Sequence, residues 1–227
     1  MAEMFSAAFW SEYGSILAEG IVDTLIMTSL STVFAYILGL PLGVALILTR
    51  PHGIRPNAGV YRVLDWVVNV GRSLPFIILM VAIMPFTKFI IGTKIGIRGA
   101  IVPLVVSAAP FIARMVETSL SEVDAGVVEA AQSMGASTLQ IVWKVYLAEA
   151  KPSLILGGAI STVTILSYTA IAGTVGAGGL GDIAIRYGHN RYEPVVMWVT
   201  VIILIIMVQI IQLVFNALSR SIDKRLK

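Results

Sequence analysis

The chain has 227 residues, 57% of them hydrophobic and 13% charged, with a mean hydropathy of +0.90. Soluble domains carry about 25% charged residues, so there is too little polar surface here to cover a globule in water, and the composition defines an integral membrane protein. The net charge of +3 does not point to nucleic acid, because the basic residues sit at the edges of apolar runs, where membrane orientation explains them; the absence of cysteine excludes disulfide and thiol chemistry.

Met1–Gly20 contains neither Lys nor Arg, so it lacks the basic start of a signal peptide. Phe5, Phe9, Tyr13, Ile16 and Leu17 recur at helical spacing beside Trp10, which predicts an amphipathic helix lying in the membrane interface over residues 1–20. Residues 21–227 then form the membrane domain. A first span is predicted over Leu25–Leu48, with Asp23 or Thr24 as its N-cap. Gly39 and Gly43 flank Pro41 in that span, a spacing that serves either close helix packing or a local kink. A second span covers Val63–Phe86, and a third, Ala100–Val116, is expected to be broken at Pro103 and Pro110. A polar stretch follows, about Glu117–Lys151, then a fourth span at Ser153–Val175, a glycine-rich segment from Gly173 to Gly181, and a fifth span at Val195–Leu218.

Five spans place the termini on opposite sides. Arg50, Arg55, Arg62, Arg114, Lys144, Lys151 and the C-terminal Arg220, Lys224, Arg225 and Lys227 share one side, and Lys88, Lys94, Arg98, Arg186 and Arg191 the other. The richer side is the cytoplasm. The N-terminus is therefore expected outside, and the polar stretch and C-terminus inside.

The polar stretch has its own punctuation. Asp124 can cap a short helix running to Met134, Gly135 suits a left-handed helix end, and Ser137 with Gln140 forms a capping box for a second helix continuing to Leu147. Ala130 and Ala131 leave a thin helix face, and Glu129 offers one negative charge. By residue chemistry alone this is either a docking hairpin or a solvated one.

Glu129-Ala130-Ala131, then Gly135, Val145 and Leu147, resemble the coupling-loop signature of ABC importer permeases. Two positions differ from the family pattern: Val145 stands for Ile and Ala148 for Pro, with a proline only at Pro152. Arg72-Ser73-Leu74-Pro75-Phe76, Pro85-Phe86-Thr87, Ala108-Ala109-Pro110-Phe111-Ile112-Ala113-Arg114 and Gly176-Ala177-Gly178-Gly179-Leu180-Gly181 look like methionine importer permeases in particular. The resemblance covers the chain from about Ile21 onward. It implies an all-α integral membrane protein with the type I permease fold and five transmembrane helices in the bacterial inner membrane. It also implies a homodimer, two cytoplasmic ABC ATPase subunits that carry ATP and Mg, and an extracytoplasmic substrate-binding lipoprotein. Glu129, Ala130, Ala131 and Gly135 would be the ATPase-coupling residues, and the activity ATP-driven import by alternating access.

The remaining residues are weighed on chemistry. No G-x-x-x-x-G-K-[ST] phosphate loop occurs, so any ATP hydrolysis belongs to another polypeptide and the chain itself holds no cofactor. In the fourth span Gly157, Ser161, Thr164 and Tyr168 share one helix face, with Ser167 beside them; this stripe is either a wall of the translocation pathway or a packing face. Arg72, inside the second span, is expected to pair with Asp65 two turns back, as a structural pair or a gate. His52 and His189 are isolated, so no metal cluster is expected. The alternatives are a non-transporting membrane scaffold, a permease of the same class for another amino acid or small peptide, and an ion-coupled secondary carrier. The last needs intramembrane acids, of which only Asp65 near a span edge is a candidate.

Overall fold

The computed structural model describes residues 6–222, and all regular structure among them is helical. The helices are α1 (Ala7–Thr49), α2 (Ala58–Ser73), α3 (Phe76–Ala82), α4 (Met84–Ile91), α5 (Gly96–Ser121), α6 (Ala125–Ser133), α7 (Thr138–Ile141), α8 (Leu147–Glu149), α9 (Lys151–Gly173), α10 (Gly179–Ile183) and α11 (Pro194–Ile222). Two π-helical turns, Val142–Tyr146 and Ala184–His189, follow α7 and α10. Phe5 and the tail residues Lys224, Arg225 and Lys227 lie outside the described residues.

Four helices, α1, α5, α9 and α11, are long and apolar enough to cross a membrane. The second expected span is not a straight helix: α2 and α3 pass the same test only as a pair bent by 102°. Pro75 explains the break. It disfavours helical geometry in the residue before it, and with φ −59° and ψ 130° it starts α3 anew. The count of five spans therefore depends on this bent pair.

The first expected boundary is corrected. Asp23 and Thr24 lie inside α1, which runs unbroken for 43 residues. Thr24 does not cap α1: its hydroxyl donates to the Gly20 carbonyl at 2.8 Å and accepts from the Leu180 N–H in the first turn of α10 at 3.0 Å. Among the described residues no separate helix precedes Gly20, since α1 already begins at Ala7; Phe9 and Leu17 pack into a core with Leu166, Leu180, Ile183, Val196 and Val199. The expected breaks at Pro103 and Pro110 are likewise absent, α5 being continuous over 26 residues, about 39 Å at 1.5 Å per residue.

The chain divides into two compact units. The first holds the chain up to Phe34, Leu74–Val106 and Thr162–Ile211. Besides the core just named it has a second, built of Met27, Phe76, Met80, Leu104, Ala172 and Ala177. Its glycine-rich segment is packed: Gly173 and Gly181 let the backbones of α9 and α10 touch, and the Gly96 N–H donates to the Gly176 carbonyl at 2.9 Å.

The second unit holds Ala35–Ser73, Ser107–Ser161 and the chain from Gln212, around Leu46, Val68 and Ala113. Here Gly39 and Gly43 find their use. A Cβ on either would press on the Ala109 or Ala113 carbonyl at 2.8 or 2.6 Å, so the small-residue face of α1 is filled by α5 of the same chain.

Candidate coupling site and transport face

The polar stretch folds as a capped hairpin. The Asp124 carboxylate accepts the Gly126 N–H at 2.7 Å and starts α6. At the other end Gly135 takes φ +79°. Its N–H donates to the Gln132 carbonyl at 2.9 Å and the Ala136 N–H to the Ala131 carbonyl at 3.0 Å. That pair of bonds is a Schellman motif, which satisfies the orphan carbonyls of α6. The capping box also forms: the Ser137 N–H donates to Gln140 Oε1 at 2.8 Å, and the Gln140 N–H to Ser137 Oγ at 3.4 Å.

The second helix runs as α7, a π-helical turn and α8, ending at Glu149 rather than Leu147. Ala148 thus lies inside the helix, and Pro152 takes the first turn of α9, where its missing N–H is no loss. Two contacts anchor the hairpin within its unit. Arg55 Nε donates to Thr138 Oγ1 at 3.1 Å. Tyr146 is buried near Arg50; burial raises its phenol pKa above the usual value and the Arg50 charge offsets part of this, so the phenol is neutral at working pH.

Of the expected coupling residues, Glu129 and Ala130 are exposed and Ala131 is buried under the hairpin. The smooth exposed face is therefore narrower than the Ala-Ala pair suggested. Apolar side chains that the sequence reading passed over project instead: Met134 at 81% exposure, Leu139 at 69% and Trp143 at 63%. A Trp and a Met this exposed on a polar hairpin are the sort of anchors that interfaces bury. The signal was available, because Trp143 sits next to Lys144, away from every span.

The expected Asp65–Arg72 pair does not form. Seven residues along α2 separate their backbones by about 10 Å, and Arg114 of α5 takes the carboxylate instead. Arg114 Nη2 lies 2.5 Å from Asp65 Oδ1 and Nη1 lies 2.5 Å from Glu117 Oε2. Nη2 also donates to Asn69 Oδ1 at 3.2 Å, while Asn69 Nδ2 donates to Asp65 Oδ2 at 3.0 Å. This fork between two carboxylates joins α2 to α5. Arg72 is exposed in the last turn of α2 and forms no ion pair among the described residues. There its charge faces the negative end of the helix dipole.

The α9 stripe separates into different surroundings. Ser161 is fully buried, donates to the Gly157 carbonyl at 2.8 Å and is hydrogen-bonded to Tyr36. Thr164 is half-buried. Tyr168 is half-buried and stacks on Phe76, with centroids 4.6 Å apart and planes 4° from parallel. Ser167 faces outward into a groove of about 360 Å³ that also includes Leu166, Ala170, Leu204, Ile205, Val208 and Gln209. Among the described residues no group of His, Cys, Asp and Glu is placed to hold a metal.

The described residues form apolar helices of spanning length with a capped polar hairpin between them, and the comparisons place the chain among membrane transport components. Residues 35–227 match the family of binding-protein-dependent transport system inner membrane components, and the chain belongs to that family. It is 50% identical over 219 residues to the probable D-methionine transport system permease protein MetI of Vibrio cholerae serotype O1, covering 96% of this chain and 97% of that protein. With the protein of the same description from Haemophilus influenzae it shares 43% over 210 residues, covering 92% and 99%. Among solved structures, a chain of the MetNI methionine ABC transporter in inward-facing form superposes with a TM-score of 0.93 at 46% identity, covering 94% of this chain and 99% of that one.

Proposed function

We propose that this chain is the membrane-spanning permease subunit of an ATP-driven methionine importer. It works as a homodimer in the bacterial inner membrane, with the N-terminus outside and the C-terminus cytoplasmic. Two ABC ATPase subunits, which bind ATP and Mg, dock on the hairpin, and an extracytoplasmic lipoprotein delivers substrate. The observation that carries this reading is 50% identity to a methionine permease over 96% of the chain, together with a hairpin whose exposed residues, Glu129, Met134, Leu139 and Trp143, suit a partner and not lipid.

The reading includes alternating access, and two features of the chain support it. Closure of the ATPases moves α6 and α7, and α7 is tied to the loop between α1 and α2 through Arg55 and Thr138. The Arg114 fork makes α2 and α5 move together. Of the four stripe residues, Thr164, Ser167 and Tyr168 remain the candidates for contact with the moving substrate; Ser161 is buried within the chain. Uptake of radiolabelled methionine tests the assignment, in cells lacking their own importer and expressing this chain with its ATPase and binding protein. ATP-dependent uptake competed by unlabelled methionine is expected; accumulation that unlabelled methionine fails to compete refutes it.

A further inference from the structure

Within the first unit, the start of α5 and the glycine-rich segment line a cleft of about 590 Å³ against Asp23 of α1, a size suited to a small molecule. Its walls carry four charges, Asp23, Arg98, Asp182 and Arg186. Two of them offset each other, since Arg186 Nη2 lies 2.7 Å from Asp182 Oδ2. Asp23 and Arg98 form no ion pair among the described residues, so the cleft keeps one unpaired carboxylate and one unpaired guanidinium. Asp23 accepts the Gly179 N–H, which fixes its position and leaves lone pairs for a further donor. Gly176 and Gly178 take φ +86° and +84°, and a Cβ on Gly178 would stand 3.4 Å from Asp23 Oδ2, so this part of the wall is bare backbone. Ile95 and Ile97 supply an apolar side. An adjoining hollow of about 340 Å³ shares Asp23 and adds Glu19 but not Arg98; of the two, only the larger offers unpaired charges of both signs.

We propose that this cleft receives a free α-amino acid as its zwitterion before the molecule enters the membrane. Arg98 takes the carboxylate through its two-pronged donor face, Asp23 takes the ammonium, and Ile95 and Ile97 take an apolar side chain. A simple cation would sit beside the unpaired Arg98 and a simple anion beside the unpaired Asp23, and each like-charge contact works against binding. The proposal rests on the importer reading above, with the N-terminus outside, and gives the permease a receiving site of its own: none of Ser161, Thr164, Ser167 and Tyr168 lines the cleft. The length of α1 agrees with a position in water. The helix has 43 residues, about 64 Å at 1.5 Å per residue, more than twice the roughly 30 Å hydrocarbon core, so its N-terminal part extends beyond the lipid.

The chain has no cysteine, so Ile95→Cys, at a position 62% exposed, places a single reporter in the cleft. The full chain with its ATPase, in lipid nanodiscs and without the binding protein, is treated with a charged thiol reagent, and modification of the permease band is timed. Methionine is expected to slow the reaction. N-acetylmethionine, which lacks the ammonium, and methioninol, which lacks the carboxylate, are not. Arg98→Gln and Asp23→Asn, each added singly, are expected to raise the methionine concentration for half protection by about tenfold, the effect of losing one charged hydrogen-bond partner; Arg98→Lys recovers part of it. Equal rates with and without methionine overturn the proposal. So does equal protection by all three compounds, or protection unchanged in both charge variants. Uptake by the Ile95→Cys complex with its binding protein separates the two claims. Methionine-competed uptake without protection removes the cleft and leaves the permease reading standing, whereas uptake that methionine fails to compete removes that reading.

Discussion

Replacing Gly135 with Ala isolates a single energy. The backbone there stands at φ +79°, and an added Cβ would meet no atom within 4 Å, so no packing penalty applies. Both closing bonds, from Gly135 to Gln132 and from Ala136 to Ala131, are main-chain bonds that Ala can still make. What remains is the left-handed penalty for an L residue, about 1–2 kcal/mol, which lowers the population of the folded turn by about fivefold to thirtyfold. Asn tolerates this conformation better and should recover more than half of the loss. Pro, fixed near φ −65° and lacking the N–H, should abolish the turn. The assay is the affinity of the partner ATPase for the solubilised permease, with the thermal melting of the permease followed in parallel. Affinity is expected to fall in the order Gly, Asn, Ala, Pro while melting of the spans stays constant. Equal affinity for Gly and Ala refutes the claim that this turn presents the docking surface, and parallel loss of span stability refutes the claim that the hairpin is energetically separate.

Glu129→Lys reverses an exposed charge and should weaken ATPase co-purification without changing melting. Trp143→Ala should lower ATPase affinity by about 2 kcal/mol, the scale of a buried aromatic anchor, as read by the same binding isotherm. Arg114→Met strands Asp65 and Glu117, whose side chains are 33% and 11% exposed, and should destabilise the permease by about 3 kcal/mol in a detergent melt. Lys at 114 recovers only part because it cannot fork, and Arg72→Met should leave the melt unchanged. Gly181→Ala drives a Cβ into the Ala170 backbone and should lower yield and melting temperature together.

The local signals in the sequence were strong wherever a residue type has only one use. Asp124, Gly135, Ser137 and Gln140 were readable as caps and a left-handed turn because main-chain geometry alone demands them, and each is where it was expected. The fourth and fifth spans were readable from apolar length, within a few residues of α9 and α11. The errors came from residues with several uses. Asp23 and Thr24 resemble a cap, yet tertiary bonds to the Gly178–Leu180 backbone occupy them in mid-helix. Pro75 bends its segment by 102° whereas Pro103 and Pro110 leave α5 whole, and proline content alone does not separate these outcomes. Asp65 had a plausible partner in sequence and a better one in space, because no spacing rule relates α2 to α5.

The same contrast governs which polar residues of a span carry functional information. Several hydroxyls here are satisfied by a nearby turn of backbone: Thr24, Thr32, Thr49, Thr87, Ser161, Ser167 and Thr200 each donate to the carbonyl four residues back, at 2.7 to 3.1 Å. A serine or threonine so bonded needs nothing from outside the helix, so a stripe of them is weak evidence for a pathway, and Ser161 in its buried setting illustrates this. A carboxylate, a guanidinium or a side-chain amide has more groups than one helical turn can satisfy. Asp65, Asn69, Arg114 and Glu117 meet most of that requirement together across two helices, with the buried Arg114 Nε left without a partner among the described residues. Gln209, Gln212 and Asn216 are exposed on α11, and an exposed side-chain amide in a span carries more information than a hydroxyl already bonded within its own helix.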